Sequence, residues 1–293
     1  MGRERQLVIG AFAVIYFVWG STYLANYWAI QTIPPFLMCG GRFLVAGTLL
    51  FAFTATQKAP WPTWKQWGNA TLMGILFLAL GTASTVWAEQ FIPTSLVALI
   101  VAFDPLLIML LMWTLIGSKP SNKAFLGAFI SIIGVFMLVE QPQITGGWDS
   151  IRGLLAISLA LTAWALGSIY ISRVDMGKDR ARGTAMQMIT GGLLILLFSL
   201  SIGEPQNWDI GMIDTRSLLS WFYLITFGSI LAFSAFNFLL SRVSPEKVAT
   251  STYVNPVVAL LLGGLLNNEV ITSQSLLAGG IMLTGVYFIN SAK

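Results

Sequence analysis

The sequence predicts an all-α integral membrane protein of ten transmembrane helices, arranged as two inverted five-helix repeats. Three observations carry this expectation. The 293 residues are 56% hydrophobic and only 10% charged, against about 25% charged in a soluble domain, and the mean hydropathy is +0.77. Lysine and arginine fall almost entirely on one set of alternate loops. The two halves of the chain also echo each other in order and spacing. A water-soluble chain of this composition has too little polar side chain to cover its surface, so the fitting solvent is a bilayer.

A span needs roughly 20 apolar residues to cross about 30 Å. Qualifying segments start near Leu7, Phe36, Trp67, Leu96, Ala124, Gly153, Thr184, Leu218, Val248 and Leu276. The first follows a positive stretch, but no small-residue cleavage site closes its apolar run, so it is expected to be a permanent helix and not a signal peptide. Short separators carry turn residues: Ile33-Pro34-Pro35, Lys58-Ala59-Pro60-Trp61-Pro62, Gly117-Ser118-Lys119-Pro120, Gly146-Gly147 and Ser244-Pro245. Only 140–152 and 203–216 are longer, and neither has room for a soluble domain.

Placing the N-terminus inside assigns Arg3, Arg5, Lys58, Lys65, Lys119, Lys123, Arg173, Lys178, Arg180, Arg182, Arg242, Lys247 and Lys293 to inner loops and ends. The outer set holds only Arg152 and Arg216, while Arg42 lies within a span. This asymmetry is the positive-inside signature, and a missed or invented span would scramble it. Both termini are therefore expected in the cytoplasm. The net charge of +4 is accounted for by the inner face and needs no nucleic-acid partner. Trp61, Trp64, Trp67, Trp148 and Trp208 fall at the expected interfaces, where indole rings settle.

Self-similarity recurs at an offset of about 150 residues. Trp19 is followed by Gly20-Ser21-Thr22-Tyr23, and Trp164 stands close before Gly167-Ser168-Ile169-Tyr170. Val101-Ala102-Phe103-Asp104-Pro105 matches Thr252-Tyr253-Val254-Asn255-Pro256, and Gly134-Val135-Phe136 matches Gly285-Val286-Tyr287. Two copies of a five-helix unit in one chain must lie upside down relative to each other, because five is odd. The expected units are 1–140 and 141–293. Inverted repeats are the architecture of secondary transporters, and this step carries the functional expectation.

Composition also excludes chemistry. There is no histidine, which removes the commonest general base and metal ligand. The single cysteine, Cys39, permits no intramolecular disulfide. No GxxxxGK[ST] loop is present, so ATP is not the expected energy source. The chain is expected to be no enzyme and to use no cofactor and no metal. Its expected partners are a small-molecule substrate and membrane lipid.

The residues resemble EamA-type permeases of the drug/metabolite transporter (DMT) superfamily over nearly the whole chain. The resemblance rests on Trp19-Gly20-Ser21-Thr22-Tyr23, on Arg42-Phe43, on Trp164-Ala165 with Gly167-Ser168, and most on the run from Ser251 through Asn255-Pro256 to Gly263 with Glu269 beyond it. It implies export of amino acids or related metabolites across the bacterial inner membrane without ATP hydrolysis. Asp104 departs from the pattern, in which an uncharged residue precedes the proline.

Several polar and aromatic residues are candidates for a substrate site. Pro105 and Pro256 lie about ten and nine residues into the fourth and ninth spans, each after a polar residue, Asp104 or Asn255. A mid-helix proline frees a carbonyl and kinks the helix, so both prolines are candidate hinges; the alternative is a kink that only shapes packing. Asp104 is expected near the midplane, where a charge costs about 2.5–3.5 kcal/mol or more. Arg42 is expected at similar depth, paired with Asp104 or with Glu89, the candidate for proton coupling. Trp19 and Trp164 fall near mid-span and suit an aromatic wall. Tyr23, Asn26, Tyr170, Gln187, Asn237 and Tyr253 are further polar groups within spans. Pairs of small residues four apart, Ala79/Ala83, Ser84/Ala88 and Gly127/Ser131, predict close helix approach.

Three other readings remain at this stage. A nucleotide-sugar-type exchanger needs several cationic groups in the cavity, and only Arg42 is available. A lipid-acting membrane enzyme would use Glu89 and Asp104 as an acid/base pair. A non-transporting scaffold would tolerate apolar replacements at the midplane.

Overall fold

The computed structural model describes residues 2–56, 60–92, 97, 100–138, 147–266 and 272–292, and among these the regular structure is entirely helical. Helix boundaries follow local chemistry. α1 spans Arg3–Ala29. α2, Pro35–Ala55, opens on a proline, whose missing N–H would be unpaired there anyway. α3, Trp64–Ala88, starts from a reciprocal cap: the Gln66 N–H donates to Thr63 Oγ1 at 3.3 Å, and the Thr63 N–H donates to Gln66 Oε1 at 3.0 Å. α4, Asp104–Ile116, stops at Gly117 with φ of 75°, a conformation glycine adopts without a Cβ clash. α5 is Asn122–Leu138 and α6 is Trp148–Tyr170. α7, Arg180–Ser201, and α8, Thr215–Leu240, are capped by Asp179 and Asp214. α9 is Ser251–Leu266 and α10 is Ser273–Asn290.

By length and composition, α1, α2, α3, α6, α7 and α8 can each cross a membrane, while α4 and α5 are apolar but shorter. The protein is a multi-pass membrane protein. Large apolar side chains such as Phe17, Phe53, Phe129 and Leu155 point outward, while Ile15, Met38, Phe77 and Met186 are buried inside. An apolar surface of that extent is compatible with lipid and not with water.

α2 lies along α7, and α5 along α10. Small residues permit both contacts. A Cβ on Gly192 would sit 2.5 Å from the Leu44 nitrogen, and one on Gly47 would sit 2.7 Å from the Ile189 nitrogen. At the other pair, Ser131 Oγ donates to the Met282 carbonyl at 3.0 Å, and Gly127 faces Gly285. α1 packs against α8 and α9, and α6 against α3 and α4. Both α3 and α8 widen into π-helical winding, over Ile75–Thr82 and Leu224–Phe233.

The expected fourth and ninth spans differ from the sequence reading. In the described part of the fourth, the chain turns at Ala102–Phe103 and α4 begins at Asp104, so Pro105 starts a helix instead of kinking one. A proline disfavours α geometry in the residue before it and is readily housed in a first helical turn. The ninth begins as a single helical turn, Pro245–Val248, breaks at Ala249–Thr250 and resumes at Ser251, leaving Pro256 inside α9. The two interruptions are thus not at matching positions. Glu269, and residues 93–96, 98 and 99 where the fourth span was expected to start, lie outside the described residues.

Candidate functional site

A cavity open at its mouth lies between the two halves, its roughly 1100 Å³ of non-protein space including open solvent. α1, α2, α3, α4, α6, α8 and α9 all contribute to its wall. Of the residues singled out in the sequence, Trp19, Tyr23, Asn26, Arg42, Glu89, Asp104, Trp164 and Asn255 line it.

One wall is aromatic. The rings of Trp19 and Trp164 meet edge to face with centroids 5.8 Å apart. Phe236 fills the angle between them, 5.1 Å from Trp19 and 5.2 Å from Trp164, and Phe77 backs Trp164 at 5.0 Å. A Cβ on Gly81 would lie 2.9 Å from the Trp164 ring, so the missing side chain at that point of α3 leaves room for the indole. Trp19 Nε1 donates to the Gly228 carbonyl at 3.3 Å, which fixes its ring plane.

A second side is cationic. Arg42 is only 4% exposed. Its Nε donates to Ser229 Oγ at 2.7 Å and its Nη1 to Asn26 Oδ1 at 3.2 Å, and the guanidinium lies 4.9 Å from the Phe43 ring centre. A Cβ on Gly228 would come within 2.8 Å of Nη2. The expected ion pair with Asp104 or Glu89 is not formed: among the described residues no acidic oxygen lies within 4.0 Å of Arg42. Neutral acceptors on α1 and α8 hold the guanidinium instead.

The third side is acceptor-rich. Asp104 is 2% exposed and Asn255 5% exposed, and the Oδ1 atom of each has no hydrogen-bond partner. Asp104 is the first residue of α4, where the helix dipole favours negative charge. Glu89 caps α3 and is half-buried at the cavity edge.

Tyr170, Asn237 and Tyr253 lie off the cavity. Tyr170 is exposed at the end of α6, with the Arg173 guanidinium 6.0 Å from its ring. Tyr253 is buried in the α4–α9 core with Ala102 and Met109. Asn237 donates to Thr184 Oγ1 at 3.1 Å and lines a separate cleft with Gln187 and Arg180. Which neighbours a span residue meets depends on helix rotation, which its presence in a span does not reveal. Conversely, Thr22, Thr82, Thr85, Ser168, Ser251 and Thr252 line the cavity but were not among the expected site residues, although Thr22, Ser168, Ser251 and Thr252 stand within the quoted motifs. The recurrence of Thr82 and Thr85 in an otherwise apolar part of α3 was the available signal.

A multi-pass helical protein enclosing such a cavity has the form of a membrane transporter. A family model described as the EamA-like transporter family matches the chain twice, over residues 6–140 and 151–291, and the chain belongs to that family. It is 34% identical, over 99% of its own length and 94% of the relative's, to "Uncharacterized inner membrane transporter YedA" of Escherichia coli (strain K12). It is 26% identical to "Uncharacterized transporter YvbV" of Bacillus subtilis (strain 168), over 99% of this chain and 92% of that one. It is 25% identical to "WAT1-related protein At3g02690, chloroplastic" of Arabidopsis thaliana, over 94% of this chain and 67% of that one. A crystal structure at 17% identity superposes with a TM-score of 0.76, covering 96% of this chain and 95% of that one, which gives a shared fold.

Proposed function

We propose that the protein is a secondary transporter that exports small metabolites, foremost amino acids with apolar or aromatic side chains, from the bacterial cytoplasm by alternating access. The observation that carries the reading is the composition of the cavity wall. An aromatic face, a guanidinium and a pair of unpartnered acceptors surround one space, and these are the three groups that an aromatic amino acid would engage.

The reading also places two inverted five-helix units, 1–140 and 141–293, across the bilayer ten times with both termini inside, an arrangement suited to alternating access. Four features support that arrangement. The family model matches each half separately. The contact of α1 with α8 has its counterpart in that of α6 with α3, and the contact of α1 with α9 in that of α6 with α4. α2 and α5 each pack along their own repeat partner, α7 or α10. The π-helical stretches fall in the paired helices α3 and α8. The positive-inside charge pattern and the inner-membrane name of the Escherichia coli relative favour the bacterial inner membrane.

The test is reconstitution in liposomes loaded with a mixture of labelled amino acids. The reading expects selective efflux, lost in Asp104→Ala and in Trp164→Ala. If no amino acid leaves, the substrate assignment fails. Glu89 and Asp104 both line the cavity, as a lipid-acting enzyme would also need, and the same assay separates the two readings because a carrier releases its solute chemically unaltered.

A further inference from the structure

We propose that Asp104 is the exchange position of the carrier: it holds a proton while the cavity is empty, and the ammonium group of the solute when it is loaded. This rests on the transporter reading above and adds the coupling and one chemical requirement of the solute, a primary amine.

Asp104 Oδ1 and Asn255 Oδ1 are both buried, both lack a hydrogen bond, and both belong to residues of the cavity wall. A buried acceptor left without a donor is costly. Each residue precedes a proline, and Pro105 and Pro256 have no N–H to give the carbonyls four residues back, those of Val101 and Thr252. Both of those residues also line the cavity. This side of the wall therefore offers more acceptors than donors, the donors being the Asn255 amide and the buried, likewise unpartnered Tyr253 hydroxyl. An ammonium group is the complement, with three N–H donors and no acceptor. The Trp19 and Trp164 faces in the same cavity favour a cation.

The charged and titratable surroundings are sparse. Arg42 on α2, Glu89 on α3 and Tyr23 on α1 share the cavity, and Tyr253 on α9 is buried behind it. The cavity-lining residues of α6 and α8 include no titratable side chain. Glu246 and Lys247, in the turn packed against α4, line another cleft with Lys119; Lys123, on α5, has its ammonium 5.9 Å from the Phe288 ring. Among the described residues no basic nitrogen lies within 4.0 Å of Asp104.

A buried carboxylate without a counter-charge is strongly disfavoured. The Asp104 position carries no unpaired charge in two states only, with the carboxyl protonated or with a carboxylate–ammonium pair, while Arg42, held by Ser229 and Asn26, keeps its charge in both. Going from the first to the second breaks the carboxyl O–H bond, sends the proton to the water at the open mouth and forms the N–H···O contact. With no basic nitrogen within 4.0 Å, an empty, ionised Asp104 is an unpaired buried carboxylate, and that is the state least able to reorient across the bilayer. Each solute molecule moved one way therefore returns a proton the other way.

The probes are labelled phenylalanine and N-acetylphenylalanine. In proteoliposomes a pH gradient should accumulate phenylalanine but not its N-acetyl analogue, which lacks the ammonium. Binding of phenylalanine to the detergent-solubilised protein in weak buffer should release about one proton per molecule bound. Asp104→Asn should abolish both effects and Asp104→Glu should retain them, with thermal melting confirming that each variant is folded. If Asp104→Asn does not fold, proton release by the wild-type protein decides. Gradient-driven accumulation in a folded Asp104→Asn protein, equal transport of the N-acetyl analogue, or binding without proton release would each overturn the proposal. Phenylalanine flux that ignores the pH gradient sinks the coupling alone, whereas a wild-type protein that moves and binds neither probe sinks the amino-acid reading with it.

Discussion

A guanidinium held inside a helical bundle is tolerable only when its N–H groups are occupied, and Arg42 directs them to Ser229 and Asn26. Those bonds join α2 to α8 and α1, so the cation is both a ligand candidate and a brace. Hydrogen bonds to charged groups contribute about 1.5–3 kcal/mol each. Arg42→Ala should lower the melting temperature and abolish transport of carboxylate-bearing solutes. Ser229→Ala should leave the fold largely intact and weaken transport several-fold, because the head group loses one of its two anchors. Uptake and melting measured side by side separate the two roles; equal transport by Ser229→Ala and wild type would remove the positioning argument. At this scale the sequence was informative about chemistry and poor about geometry. Arg42 and Asp104 stand out as charges in apolar runs, but their separation depends on helix rotation, which no local pattern encodes. Of the two partners of Arg42, Asn26 stood out as a polar group within a span, whereas neutral Ser229 gives no signal among many span serines.

At the scale of the element, the α2–α7 contact depends on the absence of side chains. A Cβ on Gly192 would overlap the Leu44 backbone, so Gly192→Val must separate the two helices or strain them. Overpacking of this kind costs about 1–3 kcal/mol or more, and the expected result is a marked fall in folded yield in detergent, with Leu193→Val, on an exposed position of the same helix, as the tolerated control.

The start of α8 gives a pH prediction. The Ser217 N–H donates to the Asp214 carboxylate at 2.6 Å. This bond, with those from the Ser217 side chain and the Arg216 backbone and the nearby Arg216 charge, holds the Asp214 carboxyl below the usual carboxylate range. A depressed value means that the stabilisation is present above the unfolded-state value, about 3.9, and is lost as pH falls through the folded one. Melting of the wild type should therefore decline more steeply below about pH 4 than that of Asp214→Asn, and parallel curves would contradict this. The segments that form α1, α2, α3, α6, α7 and α8 and the small-residue pair Gly127/Ser131 were legible, because each is local. The interruptions were only half legible: prolines marked the right two segments, but the second break falls at Ala249–Thr250, where neither proline nor glycine marks the sequence.

For the whole molecule, the charge asymmetry and the internal repeat both predict one topology, with both termini inside. In a Cys39→Ala background, a cysteine at Asp149 should react with a membrane-impermeant maleimide in intact cells. A cysteine at Lys178 should react only after lysis, and the opposite pattern would invert the orientation. The class of the fold was readable from hydropathy because a bilayer imposes the same length and polarity on every span. The site was less readable, because a cavity between two halves is assembled from residues more than a hundred positions apart. Phe236, at the centre of the aromatic wall, looks in sequence like any lipid-facing phenylalanine.

The central claim is that solute crosses through the cavity shared by the two halves. The most direct test is counterflow of labelled phenylalanine in proteoliposomes by the wild type and by Thr85→Trp, which places an indole into the cavity from α3 and leaves the surrounding backbone in place. The account predicts exchange by the wild type and loss of exchange in Thr85→Trp at an unchanged melting temperature. Undiminished exchange with the cavity filled would contradict it.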